Sequence, residues 1–129
     1  MLSRLILPDQ LDWSLTDWSR HLEALYGARN RENGIQNVMN RLFKEISEIF
    51  SLTMDIPFIK PDGTLDEIER EFALELADTL SWAIAVANMV GVDIEKAVLD
   101  RFGDKCWNCK KNPCECSHFN VQPVDWRRA

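Results

Sequence analysis

The chain has 129 residues, of which 46% are hydrophobic and 28% are charged; this composition is typical of a single globular domain that can bury a core. Fifteen basic and 21 acidic residues give a net charge of −6, which makes non-specific binding to a nucleic-acid polymer a poor expectation. Free nucleotides are not excluded, because a bound metal ion inverts the local charge.

The first predicted element is an irregular segment over residues 1–11, which contains Pro8 and an apolar run too short for a signal-peptide core. Helix 1 is predicted to begin near Ser14 or Thr16, since either side chain can cap it. Its apolar residues recur at helical spacing as far as Tyr26. The polar stretch 27–34 then predicts a frayed helix end and a loop.

Helix 2 is predicted over Ile35–Leu52, because its apolar residues occupy an arc of about 140° at the helical period. Glu45 lies just outside one edge of that arc. Glu48 lies further round on the same side, next to Arg41, and is expected to border the core less closely. Residues 55–63 follow as a connector with a Pro-Asp-Gly turn.

Helix 3 is predicted over Thr64–Val90, with a capping box at its start and Gly91 at its end. A short helix 4 is predicted over Ile94–Phe102, capped by Asp93. Residues 76–90 are the most apolar part of the chain, but they are too few and too polar to span a membrane. No alternating strand pattern occurs, so the sequence predicts an all-α, cytoplasmic protein without a membrane partner.

Four carboxylates on helices 2 and 3 predict a metal site. Glu75 and Asp78 lie on an otherwise apolar face of helix 3, where carboxylates are rare unless they are paired or bind a cation. Glu45 and Glu48 have the same three-residue spacing on helix 2. An isolated ExxE motif usually marks only a solvated helix face. Set antiparallel, the two pairs could surround one or two Mg²⁺ ions.

The ExxE pair followed by ExxD on the next long helix resembles the MazG-type all-α nucleoside triphosphate pyrophosphohydrolases. The surrounding segments fit as well: YGARN from Tyr26, NRLFKEISEIF, and ELADTLSWAIAVANMVGVDIEKAV. The resemblance covers roughly Trp18 to Cys116. It implies a helical bundle that cleaves an NTP or dNTP into a monophosphate and pyrophosphate. It also implies that Mg²⁺ is held by the residues matching Glu45, Glu48, Glu75 and Asp78.

Two residues depart from the family pattern, since Lys44 and Leu74 stand where relatives often carry glutamate. A further metal ion or the general base is therefore expected to be absent or supplied differently, with Glu71 as a candidate substitute. Trp82, one turn after Asp78, is a candidate for stacking on a base, although a core tryptophan is the alternative.

Further candidates for contacting the substrate are mostly basic. Arg29, Arg31, Lys96 and Arg101 are candidates for binding phosphates, with a surface role as the alternative for each. Asn88 is a candidate polar contact or a helix–helix hydrogen bond.

The pattern CxxC-x4-CxC, formed by Cys106, Cys109, Cys114 and Cys116, predicts a small structural zinc knuckle. Unbound thiols or adventitious disulfides are the alternative, and His118 could replace one ligand. The predicted division is a helical domain over 1–103, the cysteine segment over 104–118 and a tail over 119–129.

The apolar circumference of helix 3 predicts a homodimer or a tetramer of dimers, as does the resemblance. The alternative is a monomer in which Phe58, Phe119 and Trp126 cover helix 3. A second functional hypothesis is a helical interaction module with a structural zinc site and a decayed catalytic centre.

Overall fold

The computed structural model describes residues 12–55 and 66–117. In this part of the chain there are four α-helices and no strands: α1 (Leu15–Asn33), α2 (Ile35–Asp55), α3 (Asp66–Val90) and α4 (Ile94–Phe102). The all-α prediction is therefore confirmed. The predictions for segment 1–11, for the capping box at Thr64, and for His118, Phe58, Phe119 and Trp126 fall outside the described residues.

The start of α1 is fixed by a capping box at Ser14. The Ser14 hydroxyl accepts a hydrogen bond of 3.1 Å from the backbone N–H of Asp17, and the Asp17 carboxylate accepts one of 2.9 Å from the backbone N–H of Ser14. Such a cap stabilises a helix by about 1 kcal/mol. Of the two predicted capping residues, the structure selects Ser14.

The predicted loop over 27–34 is wrong, because α1 continues to Asn33. Gly27 is buried, and the Glu23 carboxylate occupies the space where a side chain at Gly27 would lie. From there Glu23 forms an ion pair with Arg31. The glycine is therefore accommodated within the helix instead of ending it. The helix ends one residue before Gly34, whose φ of 83° favours glycine.

Helix α3 packs against both α1 and α2 and forms the centre of the helical unit. The core consists of its buried residues Ile84, Ala85 and Ala87 together with Val38 of α2. The Asn88 side-chain amide donates a hydrogen bond of 3.0 Å to the carbonyl of Ser19, which ties α3 to α1. Of the two predicted roles for Asn88, the helix–helix hydrogen bond is the one observed.

The apolar arc of α2 is only partly covered. Val38 and Glu45 are buried, with 1% and 8% of their surface exposed, and the helical projection places Glu45 just beyond the edge of the arc. Helix α3 packs against this flank of α2, where Glu45 lies beside Glu75. The other flank forms an exposed row, called here the α2 stripe, which consists of Met39, Phe43, Ile46, Phe50 and Met54.

The chain divides into two compact units at Ile94 and Glu95. Most of α4 therefore groups with the cysteine segment, whereas the predicted boundary lay at 103. Within the second unit, the Arg101 guanidinium of α4 lies 4.0 Å from the centre of the Trp107 ring in the cysteine segment. The end of α3 at Gly91, with φ 74°, and the bounds of α4 agree with the predictions.

By length and composition alone, α3 could cross a membrane over Ile68–Val90, where the mean hydropathy is 1.2. The core helix of a soluble protein passes the same test, so one such helix is weak support for a membrane span. Here the helix packs against α1 and α2 and carries Glu75 in that contact. The cytoplasmic location remains a prediction.

Candidate functional site

Three carboxylates meet where α2 packs against α3. Glu45 and Glu48 come from consecutive turns of α2, and Glu75 comes from α3. One oxygen from each of the three lies within 4.8 Å of the others. The three residues are called the carboxylate cluster below.

The carboxylate cluster is only partly satisfied by hydrogen bonds. Oε2 of Glu45 and Oε2 of Glu75 are buried and have no hydrogen-bond partner among the described residues. The Lys44 ammonium pairs with Glu48 at 3.2 Å, on the exposed side of α2. A buried carboxylate oxygen without a partner is costly, which favours a cation or a proton at this position.

Without a metal ion, the cluster binds a proton more tightly than an isolated carboxylate does. The hydrogen bond with Glu45, the loss of solvation and the contacts with Glu48 raise the pKa of Glu75 to about 7. The hydrogen bond from Glu75 and the one from Lys44 lower the pKa of Glu48. Carboxylates this close titrate as a group, so the retained proton relieves repulsion that a divalent cation would relieve more fully.

The raised pKa of Glu75 predicts that the metal-free protein becomes less stable as the pH rises from about 4.5 to about 7. In this interval folded Glu75 keeps a proton that the unfolded chain releases, so rising pH favours unfolding. The pKa of Glu48 is lowered, so its ionisation affects the stability of the fold only at pH values below this interval. Melting temperatures in EDTA at pH 5 and pH 7 measure the decline, which should be smaller in Glu75→Gln. Equal declines in the two proteins would contradict the assignment.

Asp78, the fourth predicted ligand, is exposed and does not belong to the carboxylate cluster. It lines a neighbouring cleft of about 170 Å³ together with Tyr26, Arg29, Asn30 and Trp82. Glu71, the predicted substitute base, is also exposed and outside the cluster. The structure therefore brings three of the four predicted ligands together and places Asp78 in the adjoining cleft.

A larger cleft of about 470 Å³ shares three residues with the first, namely Arg29, Asn30 and Trp82. The Arg29 guanidinium lies 4.4 Å from the centre of the Tyr26 ring and 5.7 Å from that of Trp82. Trp82 is half-buried, so its ring belongs both to the packing of the helices and to the cleft.

The other predicted substrate contacts have partners elsewhere. Arg31 pairs with Glu23 on α1. In the second unit, Lys96 pairs with Asp100 and Arg101 lies over Trp107.

Sequence reasoning missed the asparagines of the larger cleft. Its lining includes Asn30, Asn33, Asn37 and Asn40. They recur at intervals of three, four and three residues across Gly34, which is a helical spacing. That repeat was a readable signal, but each asparagine alone is typical of a helix end or a loop.

The four cysteines form a second cluster, the cysteine cluster, with all sulfurs within 4.8 Å of one another. The Sγ atoms of Cys106 and Cys116 are 3.8 Å apart, as are those of Cys109 and Cys114. Tetrahedral zinc with Zn–S bonds of about 2.3 Å places its sulfurs about 3.8 Å apart. The sulfur positions therefore fit a tetrahedral metal ion.

Backbone N–H groups favour thiolates on part of the cysteine cluster. The N–H of Glu115, 3.4 Å from the Cys109 sulfur, is the main cause that lowers the pKa of Cys109 to about 6. The N–H groups of Cys109 and Asn108 lower the pKa of Cys106. For Cys114 the N–H of Cys116 acts in the same direction, but desolvation and the neighbouring thiols outweigh it and raise the pKa to about 12. Cys106 and Cys109 therefore favour the thiolate, whereas Cys114 favours the neutral thiol. A divalent cation would balance the negative charge of several thiolates at once.

Comparison of the chain with protein-family models, curated proteins and solved structures finds no match. The resemblance to the MazG-type enzymes therefore rests on the residues of the chain itself. What bears on function is the geometry of the carboxylate cluster, the two clefts and the cysteine cluster.

Proposed function

We propose that the chain is a Mg²⁺-dependent nucleoside triphosphate pyrophosphohydrolase, which cleaves an NTP or dNTP into a monophosphate and pyrophosphate. The observation that carries the proposal is the pair of buried, unpartnered oxygens of Glu45 and Glu75 next to Glu48. Such a group favours a bound cation, and carboxylate oxygens are the ligands that Mg²⁺ prefers.

Glu45, Glu48 and Glu75 would hold the ion, and Asp78 would complete the set from the adjoining cleft. Asp78 lies one turn after Glu75 on α3, so the two side chains emerge on the same side of the helix. Bound there, the ion would neutralise phosphate charge and lower the pKa of an attacking water.

The chain's own side chains supply the remaining parts of the mechanism. Arg29 and Arg41 line the larger cleft and offer guanidinium groups suited to phosphate oxygens. Trp82 offers an aromatic surface to a base. Lys44 reduces the negative charge of the cluster through its ion pair with Glu48, so fewer metal ions are needed for charge balance than with a glutamate at that position.

Pyrophosphate release from a panel of NTPs and dNTPs, with and without Mg²⁺, tests the proposal. The expected result is release that depends on Mg²⁺ and yields one monophosphate per pyrophosphate. No release from any nucleotide would favour the alternative, a helical interaction module whose catalytic centre has decayed.

The cysteine cluster is proposed to bind one structural zinc ion per chain. Four cysteine ligands fill a tetrahedral site and leave no position for a substrate or a water molecule. The sulfur separations of 3.8 Å support this assignment.

The helical unit is further proposed to form a homodimer or a tetramer of dimers. The α2 stripe is exposed, with 73% of Phe43 and 67% of Phe50 accessible to solvent. Leu74, Leu76 and Leu80 of α3 are each more than half exposed. Monomeric proteins rarely expose apolar rows of this length, and a second copy would cover them.

Phe43→Glu is expected to dissociate the oligomer, because it places a charge in the middle of the α2 stripe. Light scattering over a dilution series should show the 15.0 kDa monomer at concentrations about tenfold higher than in the unmodified protein. Ser51→Glu adds the same charge at an exposed position of α2 outside the stripe and serves as the control. An unmodified chain that stays a fully active monomer would contradict the proposal.

A further inference from the structure

We infer that the larger cleft binds the nucleoside part of the substrate, and that its asparagine amides recognise the hydrogen-bonding edge of the base. The ligand class follows from the proposed function, and the inference adds where the base lies and which side chains select it. The cleft is called the amide cleft below. Its amides belong to Asn30, Asn33, Asn37 and Asn40.

The chemistry of the lining suits a nucleobase. A carboxamide presents both a donor and an acceptor, and nucleobase edges present the same combination. Arg29 and Arg41 give the cleft cationic groups for a phosphate, and four amides beside them are more than a site for phosphate alone needs. With a volume of about 470 Å³, the amide cleft is within the range of small-molecule sites.

Part of the amide cleft is already held in place. Asn30 is 4% exposed, and its side-chain oxygen accepts a hydrogen bond of 3.3 Å from the Arg29 guanidinium. Asn37 donates a hydrogen bond of 2.7 Å to the backbone carbonyl of Asn33, which joins the end of α1 to the start of α2. Fixed side chains lose little freedom on binding, so they can select one ligand over another.

The amide cleft also lies at a suitable distance from the carboxylate cluster along α2. At about 100° per residue, Asn37, Arg41 and Glu45 share one side of that helix. A rise of about 1.5 Å per residue puts Asn37 about 12 Å from Glu45 along the axis, with Arg41 midway. That order matches a nucleotide, with the base in the amide cleft, a phosphate near Arg41 and the reacting phosphate at the carboxylates.

Binding measured by calorimetry tests the inference without catalysis. Nucleoside monophosphates should bind to the unmodified chain, and Asn40→Ala should weaken that binding about tenfold to a hundredfold. Inorganic tripolyphosphate with Mg²⁺, which has no base, should bind equally well to both proteins. Asn37→Ala is a second variant, and Gln36→Ala, an exposed neighbour on α2 outside the cleft, is the control.

Unchanged monophosphate affinity in both Asn37→Ala and Asn40→Ala would overturn the inference. So would a chain that binds tripolyphosphate but no monophosphate. Hydrolysis is scored separately: amide-dependent binding without pyrophosphate release would overturn the proposed reaction and keep the nucleoside site. If both asparagine variants release pyrophosphate and bind monophosphates as the unmodified chain does, the nucleoside site is overturned and the proposed reaction is kept.

Discussion

Glu75→Gln is expected to reduce Mg²⁺-dependent pyrophosphate release by about 100-fold or more. The substitution keeps the size of the side chain but removes a negative charge and one carboxylate oxygen from the cluster. Oε2 of Glu75 is buried without a partner among the described residues, so nothing else there compensates for the lost ligand. Initial rates at saturating nucleotide over a range of Mg²⁺ concentrations measure the effect.

The same substitution should stabilise the metal-free protein. Glu75 contacts both Glu45 and Glu48, and removing one charge from the group relieves their repulsion. Above pH 7, where Glu75 is mostly ionised, the melting temperature in EDTA should therefore rise while activity falls, which separates a lost ligand from a damaged fold. Glu69→Gln makes the same chemical change at an exposed position of α3 and should alter neither quantity. Undiminished hydrolysis in Glu75→Gln would remove the cluster from the mechanism.

Asp78→Asn should also abolish Mg²⁺-dependent turnover. This variant tests the one proposed Mg²⁺ ligand that lies outside the carboxylate cluster. Because Asp78 is exposed in the smaller cleft, the melting temperature in EDTA should change less than in Glu75→Gln. Full activity of Asp78→Asn would restrict the metal ligands to the three clustered glutamates.

The limits of the helices were predictable where one residue type decides them. Gly91 adopts a positive φ that glycine favours, and the polar Ser14 supplies a cap, so both ends are encoded locally. Gly27 shows where local reading fails. There the helix continues through a buried glycine that lies against the Glu23 side chain, since a glycine inside a helix costs only about 1 kcal/mol.

The composition of the carboxylate cluster was predictable only in part. Spacing places Glu45, Glu48, Glu75 and Asp78 on particular faces of their helices, but the contact between α2 and α3 decides which of them meet. That contact buried Glu45, which the apolar arc had placed outside its edge, and left Asp78 exposed. A hydrophobic pattern shows which face of a helix is buried, but it does not show which other helix packs against that face. The amide cleft was missed for the same reason, since it joins asparagines from two helices.

Cys109→Ser is expected to lower the zinc content from about one ion per chain to nearly none. The pKa of its thiol is lowered to about 6, so it ionises readily and can bind a metal near neutral pH. Elemental analysis of protein purified under reducing conditions without chelator measures the loss. Ser117→Ala, one residue beyond the last cysteine of the cluster, is the control.

Cys116→Ser distinguishes the ligand sets that the sequence leaves open. His118, two residues further along, can supply a nitrogen ligand, so Cys116→Ser would keep zinc if that exchange occurs. Combining Cys116→Ser with His118→Ala should then remove the metal. If instead Cys116→Ser alone loses zinc as completely as Cys109→Ser, the four sulfurs seen within 4.8 Å of one another are the full ligand set. Protein purified in this way with four titratable thiols and no zinc would contradict the assignment, because the cysteine cluster would then be a group of reduced, unbound thiols.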